Sequence, residues 1–314
     1  MRQSLGFISL LVAALVAHGP RLSAQAAPTQ AGKTAATKLP AGYAGSAECV
    51  QCHRAAAAQF ASTNKGKLFL EHPKDEHQAL GCETCHGPSK EHAQSGGEER
   101  GALIAFSGKK PASVAARNAV CLSCHQKTAR ISWLGSIHEQ RNVACSDCHN
   151  VMHASSDRGS LQKPTVLQTC ARCHQQRAAQ QLRFSHMPIG EKKMECTSCH
   201  NPHGSPNDKL LVASSINEVC YSCHTEKRGP FMWQHPPVVE NCANCHDPHG
   251  TAHEKLLKVP KPRLCQQCHD PTSHPTQPRG LAATDARFIR GRQCVDCHFN
   301  IHGSNHPTGQ RFTR

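Results

Sequence analysis

The chain has 314 residues, with 20 Cys, 24 His and 36 Lys and Arg against 22 Asp and Glu, a formal charge of +14. Only 4% of it is aromatic and 38% hydrophobic, the cysteines included, against an ordinary apolar share of about 45–50%. A domain held together by a large core of its own side chains is therefore excluded.

In chain order the first element is a leader. Met1–Arg2 is basic, Leu5 to Ala17 is an apolar run of thirteen residues, and Ser23-Ala24-Gln25-Ala26-Ala27 offers the small-residue form that signal peptidase accepts. A membrane span needs about 20 apolar residues, so residues 1–26 read as a cleaved signal peptide and not as an anchor. No Cys precedes Cys49, which leaves no lipobox. Residues 27–45 read as a flexible linker, and the working domain as 46–314. Export into an oxidising compartment would ordinarily make many cysteines a disulfide framework; their spacing argues otherwise.

Every cysteine lies in a Cys-x-x-Cys-His unit. The pairs are Cys49 and Cys52, Cys82 and Cys85, Cys121 and Cys124, Cys145 and Cys148, Cys170 and Cys173, Cys196 and Cys199, Cys220 and Cys223, Cys242 and Cys245, Cys265 and Cys268, and Cys294 and Cys297. They are followed by His53, His86, His125, His149, His174, His200, His224, His246, His269 and His298. This is the attachment signature of c-type haem: two thiols add to the porphyrin vinyl groups, and the adjacent imidazole becomes the proximal iron ligand. A structural zinc site would pair Cys-x-x-Cys units without requiring His, and a dithiol oxidoreductase carries one active pair. Ten motifs that use every cysteine predict ten covalent haem c groups.

The remaining histidines supply sixth ligands. Read two motifs at a time, the chain repeats five times, approximately over 46–110, 111–160, 161–212, 213–256 and 257–314. In four units a His lies seven or ten residues before the second motif: His72, His138, His186 and His235. Another follows the second motif: His92, His153, His203, His249 and His302. Two of these sit in matched phrases, Asn201-Pro202-His203-Gly204 and Asp247-Pro248-His249-Gly250. Two spare imidazoles for two haems is bis-His stoichiometry. The fifth unit has no His before Cys294, and His274 is its expected substitute; His77, His253 and His306 read as solvent-facing reserves.

Phe69, Trp133, Phe184 and Trp233 stand shortly before the between-motif histidines, and are expected on short helices against the porphyrin faces. Scarce 3.6-residue periodicity and many Pro/Gly stretches predict a mostly irregular, small-α fold: short helices and loops wrapped around ten haems, with almost no strand. Loss of Arg2 and Arg21 with the leader leaves a charge of +12. Two propionates per haem then bring the whole to roughly +2 oxidised and roughly −8 reduced. A nucleic-acid partner is not implied by the basic sequence, and many Lys and Arg are read as propionate counterions.

The ten motifs, the cleavable leader, the missing lipobox and the Cys-His-Asn-Pro-His-Gly and Cys-His-Asp-Pro-His-Gly phrases resemble the periplasmic decahaem cytochromes of the MtrA/DmsE family, from about Ser46 to His302. The irregular fifth unit and the long gap between His92 and Cys121 depart from that pattern. The resemblance implies a bis-His haem wire, placed in or against a β-barrel outer-membrane porin. Such a wire joins a periplasmic or inner-membrane donor to an extracellular multihaem cytochrome, in either direction. Two other readings stand beside this conduit: a free periplasmic shuttle, and a multihaem reductase with one open iron, for which the fifth unit is the place to look. No catalytic residue and no transmembrane segment is expected, so a membrane quinol dehydrogenase is excluded.

Overall fold

The computed structural model describes residues 39–186, 189, 191–207, 209–269 and 293–313. The leader, most of the linker and His274 lie outside them. The elements are short α and 3-10 helices joined by turns, and no strand occurs among the described residues. The backbone instead closes in isolated antiparallel bridges: His149 with Leu161, Phe184 with Thr251, His200 with Leu211, Trp233 with Ser304 and His246 with Leu257.

Each unit builds its two motifs differently. The first lies at the end of a helix: Ser46–Cys52, Val114–Leu122, Val166–Ala171, Ile216–Tyr221 and Arg263–Gln266. Three of these begin on a side-chain cap, with Ser113, Thr165 and Ser215 accepting from the N–H groups of Ala116, Gln168 and Glu218. Such a cap satisfies one of the free donors of a helix start and contributes about 1 kcal/mol. The second motif is one helical turn that starts at or beside its first cysteine: Glu83–His86, Cys145–Cys148, Cys196–Ser198, Cys242–Asn244 and Cys294–Asp296. Here a residue between the cysteines closes the turn. The Asp147, Ser198 and Asp296 side chains accept from the backbone of Ala144, Glu195 and Gln293, the reaching-back half of a capping box.

A polar clasp joins the two motifs. Ser46, Asn118 and Asn217 stand three residues before the first cysteine of their units. They accept the backbone N–H of Cys82, Cys145 and Cys242 at 3.0, 2.8 and 2.7 Å. Asn217 also donates to the carbonyls of Val238 and Val239, and both asparagines are buried. Asn217→Ala should therefore leave buried backbone groups unpaired and lower stability by about 2–3 kcal/mol, read as a shifted denaturant midpoint of the holoprotein.

Only Phe60, Trp133, Ala144 and Leu257 form a buried apolar set among the described residues, whereas ten polar or charged residues are buried. A side-chain core is absent there, as the composition required. One expectation is corrected: of the four aromatics, only Phe69 is helical, in Asn64–Leu70. Trp133 lies in a turn, and Phe184 and Trp233 lie in bridges. The reason is pairing with a later unit: Trp233 exchanges both backbone bonds with Ser304 at 3.0 Å, and Phe184 accepts from Thr251 at 2.9 Å. Phe184 is exposed, while Trp133 is buried 6.5 Å from the His203 ring.

Candidate functional site

Among the described residues, seven motif histidines face a second imidazole. The pairs are His53–His92, His138–His174, His149–His203, His186–His224, His200–His249, His235–His269 and His246–His302, with ring centroids 6.0 to 6.3 Å apart. Five pairs are near parallel, at 12–19°, and two are steeply crossed, at 61° and 68°. Rings in direct stacking contact would lie closer. Two metal–imidazole bonds of about 2 Å, with a ring radius at each end, give a separation of roughly 6 Å. The pairs thus fit an iron held between them, and the planar gap fits a porphyrin.

The pairing runs between units. The His before a second motif faces the first-motif His of the next unit: His138 with His174, His186 with His224, His235 with His269. The His after a second motif faces the second-motif His of the preceding unit: His203 with His149, His249 with His200, His302 with His246. Two imidazoles therefore cross each of the last three joints. His92 closes on His53 inside its own unit. His72 lies 3.9 Å from the Glu71 carboxylate, and His153 bonds Asn150 and Ser155; neither is among the seven pairs.

The second-motif histidines are held by one repeated contact. His86, His149, His200 and His246 donate Nδ1–H to the carbonyls of Ile104, Gly159, Lys209 and Lys255 at 2.6–2.9 Å, and His298 does so to Arg311. This fixes the tautomer and leaves Nε2 as the free donor atom for a metal. The long gap after His92 is absorbed here: Ile104 lies eighteen residues beyond His86 yet meets it as Gly159 meets His149. Burial, reinforced by His149 and Arg130, holds His203 down to about 4, and burial with Lys227 and His246 nearby does the same for His302. Both imidazoles stay neutral, as a metal ligand must.

The loop behind a distal His needs glycine. Gly204, Gly250 and Gly303 have φ of +119°, +126° and +138°. A Cβ on Gly204 would lie 1.9 Å from the Ser132 carbonyl oxygen, and one on Gly250 would lie 2.1 Å from that of Gln180. The phrase visible in the sequence is thus a docking loop, pressed backbone to backbone on the preceding unit. Asn201 and Asp247 shape it, accepting the N–H of His203 and His249 on Oδ1. Asp247 Oδ1 also accepts the His249 Nδ1–H at 3.1 Å. Burial pushes its carboxyl up, but the His249 bonds and the Arg177 charge outweigh this and hold Asp247 below the usual carboxylate range.

The thiols line up in chain order. Within units they meet as Cys49–Cys82, Cys121–Cys145, Cys170–Cys196, Cys220–Cys242 and Cys265–Cys294. Between units the second cysteines act on each other: Cys85 on Cys124, Cys148 on Cys173, Cys199 on Cys223 and Cys245 on Cys268. Among the described residues no cluster of three or more His, Cys, Asp or Glu is set to hold a bare ion. Arg130 Nε and Trp133 Nε1 are buried without a protein partner, which suits polar donors turned toward an anionic cofactor edge.

Comparison with known proteins gives the family. The family described as Doubled CXXCH motif matches residues 186–229 and 235–274; Cytochrome c-type protein NrfB-like matches 82–166, and Cytochrome c554 and c-prime matches 18–87. Multiheme cytochrome MtrA of Shewanella baltica (strain OS185) is 41% identical over 307 residues, 95% of this chain and 91% of that protein. The chain belongs to the MtrA family of multihaem c-type cytochromes. It is an electron-transfer protein that carries covalent haem c. No described helix of this MtrA-family chain is long and apolar enough to cross a membrane.

The reciprocal exchange of histidines escaped sequence reasoning, because partners lie 34 to 56 residues apart, as in His235–His269 and His246–His302. A signal existed nonetheless: the His-Gly phrases His203-Gly204, His249-Gly250 and His302-Gly303 mark the three units whose later histidine faces the unit before.

Proposed function

We propose that the chain binds ten haems, all bis-His, in a single file that follows sequence order, and that it conducts electrons along this file. Bound haem iron supplies a one-electron ferric–ferrous couple. The protein's part is spacing, ligation and insulation. The observation that carries the reading is the alternation of thiol neighbours, bonded within a unit and electrostatically near between units, which links each attachment site to the next in chain order.

The exchange rule extends to the first joint. His72 serves the haem of His125, and His153 that of His86; His92 caps the first end, and His274 caps the last at His298. His72→Ala and His153→Ala should each convert one haem to high spin, seen as one new high-spin electron paramagnetic resonance signal per molecule. A spectrum unchanged in both variants would contradict the rule.

The leader places the chain in the periplasm after cleavage near Ala26. A conduit docked to a β-barrel outer-membrane porin is preferred, with a periplasmic or inner-membrane donor on one side and an extracellular multihaem cytochrome on the other. The preference rests on the resemblance to the MtrA/DmsE family. Isolation from detergent-extracted outer membranes should recover a β-barrel protein with the cytochrome. A monomer that never associates with one would make it a free periplasmic shuttle.

A further inference from the structure

The three residues that shape the loop after a second motif, Asn150, Asn201 and Asp247, do the same backbone work. Their Oδ1 atoms accept the N–H two residues on, from Met152, His203 and His249. A neutral amide suffices for that turn, so the carboxylate in the fourth unit needs another explanation. It differs at the histidine it positions: Oδ1 also receives the His249 Nδ1–H at 3.1 Å. The carboxylate is itself clamped by the preceding unit, with Gln180 Nε2 at 3.4 Å and Arg177 at 4.0 Å from Oδ2. Opposite His249 stands His200, whose Nδ1–H goes to the Lys209 carbonyl at 2.8 Å. Both members of this pair therefore donate Nδ1–H to an oxygen, and on one side that oxygen is charged. In the preceding His149–His203 pair, His149 bonds the Gly159 carbonyl, and the equivalent of Asp247 is the neutral Asn201.

We infer that Asp247 is a positioning residue that lowers the reduction potential of the haem held between His200 and His249, making the sixth site a low step in mid-wire. A carboxylate on Nδ1–H draws the proton toward itself and raises the basicity of Nε2. A more basic imidazole favours the ferric over the ferrous state, and the fixed negative charge acts in the same direction. One electron enters on reduction; no iron–ligand bond breaks and no proton need move. The inference rests on the bis-His assignment above.

The test uses the full holoprotein and three variants, each followed by a potentiometric titration with visible and low-temperature electron paramagnetic resonance detection. Asp247→Asn keeps the Oδ1 acceptor and the turn while removing the charge. It should leave every haem low-spin, move one of the ten to higher potential and alter one low-spin signal. Asn201→Asp, the reciprocal change, should move a different haem to lower potential. A purely structural Asp247 would leave the Asp247→Asn titration unchanged. Titrations of Asp247→Asn that superimpose on wild type, while His249→Ala yields one high-spin haem, would overturn the inference and leave the ligation standing. If His249→Ala stays wholly low-spin, the ligation and the inference fall together.

Discussion

Gly250→Ala should detach a distal ligand: one haem of the oxidised protein turns high-spin, and the thermal midpoint falls. The argument is steric. At φ +126° an L-residue is strained, at a cost of about 1–3 kcal/mol, before any contact is considered. The new Cβ would also lie 2.1 Å from the Gln180 carbonyl oxygen and 2.8 Å from its carbon. Backbone on both sides means nothing small can rotate away. Relief requires the loop to lift, which breaks the 2.9 Å bond from Thr251 to Phe184 and withdraws His249 from His200. Gly204→Ala should behave alike, with 1.9 Å to the Ser132 oxygen. Gly303→Ala should be milder, because its neighbour is the Phe231 ring, a side chain that can turn. Equal effects in all three would contradict the account.

Glu83→Ala should have a comparable effect on stability, centred on the amino-terminal end. The Glu83 side chain is fully buried, and its carboxylate gathers the first unit. Oε1 accepts from Ala44 N at 2.9 Å, Ser89 N at 3.0 Å and the Ser89 hydroxyl, while Oε2 accepts from Gly45 N at 2.7 Å. Removing the acceptor strands several buried donors, each worth about 1–3 kcal/mol of desolvation. Glu83→Gln should recover only part, since one amide oxygen can serve the three-donor side but the NH2 group then faces the Gly45 N–H. The expected readout is early proteolysis around residues 39–45, with haem content retained in the later units. Resistance equal to wild type would show that the carboxylate does not hold this segment.

Much of the chemistry was legible because covalent attachment leaves an unambiguous spacing. The ten motifs and the seven distal histidines now seen facing motif histidines all stood out in the sequence. What holds them did not. Glu83 occupies a variable position inside a Cys-x-x-Cys-His unit, where any residue is permitted, and its value comes only from Ala44, Gly45 and Ser89 closing over it. Asn118 and Asn217 look like ordinary helix residues until the second motif is brought alongside. Phe184 and Trp233 gave a helical impression because a single bridge has no period to detect. The facing of histidines across units is a tertiary property: each repeat looks self-sufficient by count, yet its histidines face those of its neighbours. Such stacking couples adjacent repeats, as in other arrays whose single units cannot complete a core.

The proposed file of ten haems is closed and bis-His throughout. Its most direct test is low-temperature electron paramagnetic resonance of the fully oxidised protein, with haem counted by pyridine haemochrome. Ten haems per chain, all low-spin, are expected. Signals should fall into two classes, one from near-parallel imidazoles such as His149–His203 at 12° and one from crossed imidazoles such as His186–His224 at 68°. A stoichiometric high-spin haem, or fewer than ten per chain, would contradict it and return an open, substrate-binding iron to consideration.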